Sequence, residues 1–179
     1  MKTEHKRKLE ELDSQVDVER GRDLRSQIDR AIAYESVEEY QYYEHTYGPK
    51  GWPVYPGSER YEDAEKDLMS ALGVVKGGVL NGVPDVWSIP PETGGRGMIH
   101  SLLDGKVVYQ DGQAGKWLEA PENATIEKLV DAGVPDVNGG IVPRHIERVK
   151  YMVETLSQYE NLAKVAIWAT DGYGLLEIA

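Results

Sequence analysis

Lys164-Val165-Ala166-Ile167-Trp168-Ala169-Thr170, followed at once by Asp171-Gly172-Tyr173-Gly174, is the stretch on which the fold turns. The first seven residues are largely apolar, with Val165, Ile167 and Thr170 β-branched, as suits a buried strand, and the next four form a glycine-rich loop. A helical pattern precedes them. A helix, then a buried strand, then such a loop is how α/β barrels and doubly wound sheets build a site, at the C-terminal end of the strand. The expected fold class is therefore α/β, a partial (β/α)8-type barrel with a helical N-terminal extension. Partial is the expectation because only five residues follow Gly174.

Working back from that strand, Pro143 suits the first turn of a helix over about 142–159, with Ile146, Val149, Val153 and Leu156 inward. Residues 125–132 read as a short helix closed by Gly133. The sequon-like Asn123-Ala124-Thr125 is better taken as its start. The best earlier strands are 86–89 and 106–109. Ser58 can cap a helix whose inward face is Tyr61, Ala64, Leu68 and Leu72, with Gly73 as its stop. Residues 48–57 are loop by proline and glycine density. Over 3–34 the spacing of Leu9, Leu12 and Val16, then of Leu24, Ile28 and Ile32, predicts peripheral helices broken near Gly21. Ser36-Val37-Glu38-Glu39 opens a helix bearing Tyr40, Tyr42, Tyr43 and Tyr47. The chain divides into a helical extension with its loop, 1–57, and the front of a barrel, 58–179, within a single structural domain.

With 179 residues a real core can be buried. No cysteine is present, which removes disulfides, thiolate metal sites and cysteine nucleophiles together. A net charge of −11 argues against a nucleic-acid partner. No long apolar run exists to enter a membrane, and the basic start leads into Leu9-Glu10-Glu11-Leu12 rather than a signal core, so a cytoplasmic protein is expected. Phenylalanine is absent beside 11 tyrosines, for which we have no physical account.

Asp171 at the end of a buried strand could serve as acid, base or cation anchor, with Gly172 and Gly174 admitting a ligand to the backbone; equally, it could cap a following helix. Tyr173 could stack on or hydrogen-bond a ligand. Thr93-Gly94-Gly95-Arg96-Gly97 could cradle an anion with Arg96 as its contact, or simply connect two elements, since no strong helix is expected after it. His100 is the best-placed histidine. His5 and His145 lie on charged helices, His45 among the tyrosines, and a lone structural role is the default for each. No spacing forms a metal set, and neither metal nor cofactor is expected. Tyr109-Gln110-Asp111 ends a strand and either points polar groups into a cleft or forms a hairpin turn.

Several runs together resemble the front of uroporphyrinogen decarboxylase-like proteins. They are Tyr61-Glu62-Asp63-Ala64-Glu65-Lys66-Asp67-Leu68-Met69, Val83-Pro84-Asp85, Gly97-Met98-Ile99-His100-Ser101-Leu102-Leu103-Asp104-Gly105, Val107-Val108-Tyr109-Gln110-Asp111, Gly133-Val134-Pro135-Asp136 and Gly139-Gly140-Ile141-Val142-Pro143-Arg144. The similarity covers roughly 60–179. It implies a (β/α)8 barrel with 164–170 as one strand, and a tetrapyrrole decarboxylase or cobalamin-linked methyltransferase. It also implies that 171–176 stands where relatives carry an Asp-x-Gln-Gly-Pro-Leu-like loop, and that the segment before His100 lies at the same end. This chain keeps the Asp and one Gly of that loop but not its Gln and Pro. It lacks the Arg-x-Ala-Gly-Arg motif of the decarboxylases and the cysteine zinc ligands of the methyltransferases. The implied site has Asp171, Tyr173 and His100 as catalytic groups, with Arg96, Gly172 and Gly174 holding a small-molecule or tetrapyrrole substrate. An incomplete barrel also implies weak activity and self-association through uncovered edges. The rivals are a non-catalytic α/β module using its acidic helices and tyrosine cluster as a partner surface, and a chain with no selected function.

Overall fold

The apolar run Leu68-Met69-Ser70-Ala71-Leu72 does not stop at Gly73. In the computed structural model it continues as one helix, Ala64–Asn81, through Gly73, Gly77 and Gly78. The structure describes residues 1–19, 48–81, 88–93, 96–109, 116–121 and 125–167, with Ser26 and Arg30. Along the long helix every residue over 67–78 is buried. A helix enclosed on all sides needs apolar or small residues all round, and this one has them everywhere but at Asp67 and Lys76, whose charges are paired with Arg148 and Glu11. Gly73 is a point of close approach: a Cβ there would lie 3.1 Å from the Gly48 Cα and 3.3 Å from Trp52. The Trp52 indole in turn donates to the Met69 carbonyl at 2.6 Å.

The described elements, in chain order, are α1 (Thr3–Gln15), α2 (Gly57–Glu62), α3 (Ala64–Asn81), β1 (Ser88–Ile89), α4 (Arg96–Leu102), β2 (Lys106–Tyr109), β3 (Lys116–Glu119), α5 (Ile126–Ala132), α6 (Val142–Leu156), a 3-10 turn (Leu162–Lys164) and β4 (Ala166–Ile167). The single helix expected from Ser58 is two. Asp63 interrupts it, and its carboxylate caps α3 by accepting from the Glu65 and Lys66 amides at 2.9 and 3.1 Å. Helices α1, α2 and α6 and strand β1 all pack on α3. One core cluster joins Leu9, Leu12 and Val16 to Leu68, Leu72 and Val75 of α3, and to Ile89, Met152, Leu156, Leu162 and Val165.

This arrangement corrects the expected α/β fold: among the described residues no partial (β/α)8-type barrel forms. Helices dominate the described residues. The strands make two separate two-stranded ladders, β1 parallel to β4 and β2 antiparallel to β3. A barrel strand needs neighbours on both sides, and among the described residues each strand has one. The physical reason lies in 68–80: a core organised around a largely apolar helix that other elements enclose leaves no sheet as the organising layer. Lys164 closes the 3-10 turn, β4 is Ala166–Ile167, and 168–170 lie outside the described residues. The helices expected over 20–47, with their tyrosines, lie outside them as well, apart from Ser26 and Arg30.

Helix α6 differs from expectation in its roll. It begins with Pro143 in its first turn, as anticipated, but buries His145, Arg148, Met152, Thr155 and Leu156. Ile146 and Val153, expected inward, are 45% and 51% exposed. On a helical wheel the buried face stands about a quarter turn from the expected one. No helix among the described residues is long and apolar enough to cross a membrane.

The roll has a direct consequence for stability. Met152→Ala should cost about 2–5 kcal/mol in urea unfolding and Ile146→Ala no more than about 0.5 kcal/mol. The reverse order would return the apolar stripe of α6 to the core.

Candidate functional site

The strongest concentration of chemistry lies where α2, α3, α6 and β2 meet the segment after β1. Asp67, on the buried face of α3, is fully enclosed. Its Oδ1 accepts from Arg60 Nε at 3.1 Å and Nη2 at 3.0 Å. Its Oδ2 accepts from Arg148 Nη1 at 2.8 Å and the Glu92 amide at 3.0 Å. Four donors on two oxygens use a carboxylate's accepting capacity. Arg148, 5% exposed, also donates to the carbonyls of Arg60 at 2.5 Å and Tyr61 at 2.9 Å. Arg60 Nη1 pairs with Glu92 Oε2 at 3.1 Å, and the Tyr109 hydroxyl donates to Glu92 Oε1 at 3.2 Å. Burial first, then the adjacent Glu92 carboxylate, pushes the Tyr109 phenol well above its ordinary value, so it remains a neutral donor. Tyr61 packs tilted on Tyr109 at 5.4 Å, and Arg144 lies 4.5 Å over the Tyr61 ring while pairing with Glu62.

Beside this network Thr93 and His145, both buried, are hydrogen-bonded at 3.0 Å. A second cluster ties α1 to α3. His5 is buried, its Nδ1 2.5 Å from Glu65 Oε1 and its Nε2 2.9 Å from the Tyr55 hydroxyl. The Lys2 amide donates to the same Glu65 at 2.6 Å, and the terminal ammonium lies 3.6 Å away. Burial pushes Glu65 up, but the Lys2 and His5 hydrogen bonds and the terminal charge outweigh it and hold the carboxyl below its ordinary value.

The residues singled out in the sequence are distributed differently. His100 sits on α4, where its Nε2 donates to the Glu119 carbonyl at 2.6 Å, joining α4 to β3. Its ring lies so close to Gly105 that a Cβ there would collide with it. Arg96 is the first residue of α4, a helix not expected after Thr93-Gly94-Gly95. Asp171, Gly172, Tyr173 and Gly174 lie outside the described residues. Tyr109 turns to Glu92, and the chain returns antiparallel from β2 to β3 with Tyr109 opposite Lys116. His5 and His145, read as residues of charged helices, are interior groups. Asp67, Arg60, Arg148 and Glu92 were not singled out. Their one signal is an acid and a base within apolar helical patterns, at Asp67 and Arg148. Among the described residues no His, Asp and Glu side chains gather as a group of three or more able to hold a metal ion. No family model matches the chain, and neither does any curated protein or solved structure.

The network is an internal bolt. Asp67→Ala should cost about 3–5 kcal/mol, because it leaves buried arginine charge uncompensated. Arg148→Met should cost a similar amount, and the double variant clearly less than the sum, as measured by urea unfolding. Glu65 sets an acid limit. Its folded-state value lies below that of the unfolded chain, so its contribution is complete above the ordinary 4.5 and is lost as pH falls through the folded value. Glu65→Gln should therefore flatten the acid limb of a plot of stability against pH below about 4.5, and an unchanged limb would remove Glu65 from that role.

Proposed function

We propose that the protein is a non-catalytic interaction module, a cytoplasmic helix-centred body that holds apolar helix faces outward for another protein chain. One observation carries this reading: α6 turns His145, Arg148 and Thr155 into the core beside Met152 and Leu156, and leaves Ile146 and Val153 exposed to solvent. Helix α5 supports it. Thr125 caps that helix by accepting from the Lys128 amide, and Gly133 ends it, yet none of its side chains is buried. Ile126 and Val130 are 78% and 72% exposed on one face. Apolar surface held out on two formed helices is typical of binding surfaces. The net charge of −11 favours a protein partner over nucleic acid. The competing reading is the one the resemblance implies, decarboxylation of a tetrapyrrole or cobalamin-linked methyl transfer at Asp171, Tyr173, His100 and Arg96.

Fluorescence of anilinonaphthalene sulfonate tests the exposed faces. The folded wild type should bind the dye. Ile126→Glu with Val130→Glu, and separately Ile146→Glu with Val153→Glu, should each lower the signal without lowering the melting temperature. Uroporphyrinogen incubated with the protein should stay intact. A dye signal indifferent to both pairs of substitutions would contradict the module reading, and so would release of carbon dioxide from uroporphyrinogen.

A further inference from the structure

The segment that leads into α6 carries chemistry of its own. Asn138-Gly139 is an asparagine–glycine pair, set in a turn over 136–139. The Asp136 carbonyl accepts from the Gly139 amide at 2.8 Å. One oxygen of the Asp136 carboxylate accepts from the Asn138 amide at 2.9 Å and from its side-chain Nδ2 at 3.2 Å. The turn crowds a side chain out of position 139, where a Cβ would lie 3.1 Å from the Asp136 carbonyl oxygen. The fold thus favours glycine after Asn138, and glycine leaves its own amide nitrogen unshielded. Asp136 and Asn138 are exposed, so water and base reach them. Just beyond the turn, Gly140 has a φ of +55° and sits so close to Ser101 of α4 that a Cβ would collide with it. The Ile141 amide, at the cap of α6, donates to Ser101 Oγ at 3.0 Å.

We infer that Asn138 is a site of spontaneous deamidation and that Asp136 holds the reaction in check. The Gly139 nitrogen, once its proton is lost to base, attacks Asn138 Cγ. A nitrogen–carbon bond forms, the Cγ–Nδ2 bond breaks, and Nδ2 takes up a proton and leaves as ammonia. Water then opens the cyclic imide at either of its carbonyl–nitrogen bonds, giving aspartate or isoaspartate. The balance is one water gained and one ammonia lost. In the folded chain two hydrogen bonds to Asp136 oppose the first step. The Gly139 proton is held on the Asp136 carbonyl, and Asn138 Nδ2 is held on the carboxylate. Both must break before attack. The product does not restore them. A carboxylate then stands where Nδ2 donated, beside the carboxylate of Asp136, and isoaspartate also lengthens the backbone by one carbon. The change therefore loosens the turn and, through it, the hold of Ser101 on the start of α6. This inference is independent of the interaction-module reading.

Peptide mapping by mass spectrometry over a time course at mildly alkaline pH tests it, with isoaspartate counted by enzymatic methylation. The same chain unfolded in guanidinium chloride is the unguarded reference. The folded wild type should deamidate at Asn138 roughly 10-fold or more slower than the unfolded chain, because two hydrogen bonds must break first. Folded Asp136→Ala should react roughly 3- to 10-fold faster than the wild type. Asp136→Asn keeps an accepting oxygen without the charge and should stay near the wild-type rate. Asn138→Asp, which carries the product's carboxylate, should speed hydrogen exchange at the Ile141 amide roughly 3-fold or more. An unfolded chain that does not deamidate at Asn138 overturns the site. A folded wild type as fast as the unfolded chain, or an Asp136→Ala variant no faster than the wild type, overturns the guard. Asp136→Asn as fast as Asp136→Ala would trace the effect to charge and overturn the hydrogen-bond account. Unchanged exchange at Ile141 in Asn138→Asp overturns the link to α6.

Discussion

The ion pair between Asp67 and Arg148 is the constraint on which the rest of the structure depends. Each charge taken out of water costs several kcal/mol unless an opposite charge and hydrogen bonds meet it. Arg148 reaches that compensation only with its guanidinium against α3, where Asp67 Oδ2 lies 2.8 Å from Nη1 and the Arg60 and Tyr61 carbonyls take further donors. Once Arg148 faces inward, helical geometry leaves no freedom for its neighbours. His145, Met152 and Thr155 share its side of α6 and enter the core. Ile146 and Val153 must then leave it. The outward apolar stripe is thus the geometric remainder of a buried charge, rather than a failure of packing.

Helix α3 makes the pair possible. Its run of small and apolar residues lets α1, α2, β1 and α6 approach from different directions, and the Trp52 loop closes against Gly73. Asp67 stands near the start of that enclosed stretch, so its carboxylate meets α2 through Arg60 and the segment after β1 through the Glu92 amide. The turn at 161–162 is fastened separately. Asp13 on α1 accepts from the Asn161 and Leu162 amides, both at 2.8 Å, which holds the turn before β4 against the first helix. Local signals along the chain and a few long-range polar bonds therefore share the work of specifying the fold.

Elements governed by local chemistry were legible in the sequence. Thr125 and Gly133 bound α5, Pro143 opens α6, β2 occupies the expected Lys106–Tyr109, and Leu9, Leu12, Leu68 and Leu72 are core. Elements governed by distant partners were not. Gly73 resembles a helix stop until the backbone at Gly48 is seen against it. Apolar periodicity placed Ile146 and Val153 inward because it gives no weight to a charged residue, and Arg148 lies 81 positions from Asp67. His5 and His145 are buried, in keeping with the structural role expected of each, but their partners Glu65 and Thr93 are remote in sequence and carry no local signal. The barrel expectation failed because a β-branched run was read as a strand of a sheet, when its described part pairs over two residues beside a helical core.

The absence of cysteine offers the most direct measurement of the central claim, that the Asp67–Arg148 pair sets which side of α6 faces inward. A single thiol can be placed on either side of the helix by Ile146→Cys or by Met152→Cys. Its reaction with an aromatic disulfide can then be followed under native conditions. The account predicts that the variant at position 146 reacts at nearly the rate of an unfolded peptide thiol. The variant at position 152 should react slower by orders of magnitude, through rare opening of the core. Faster reaction at position 152 than at 146 would place the apolar stripe inside and contradict the account.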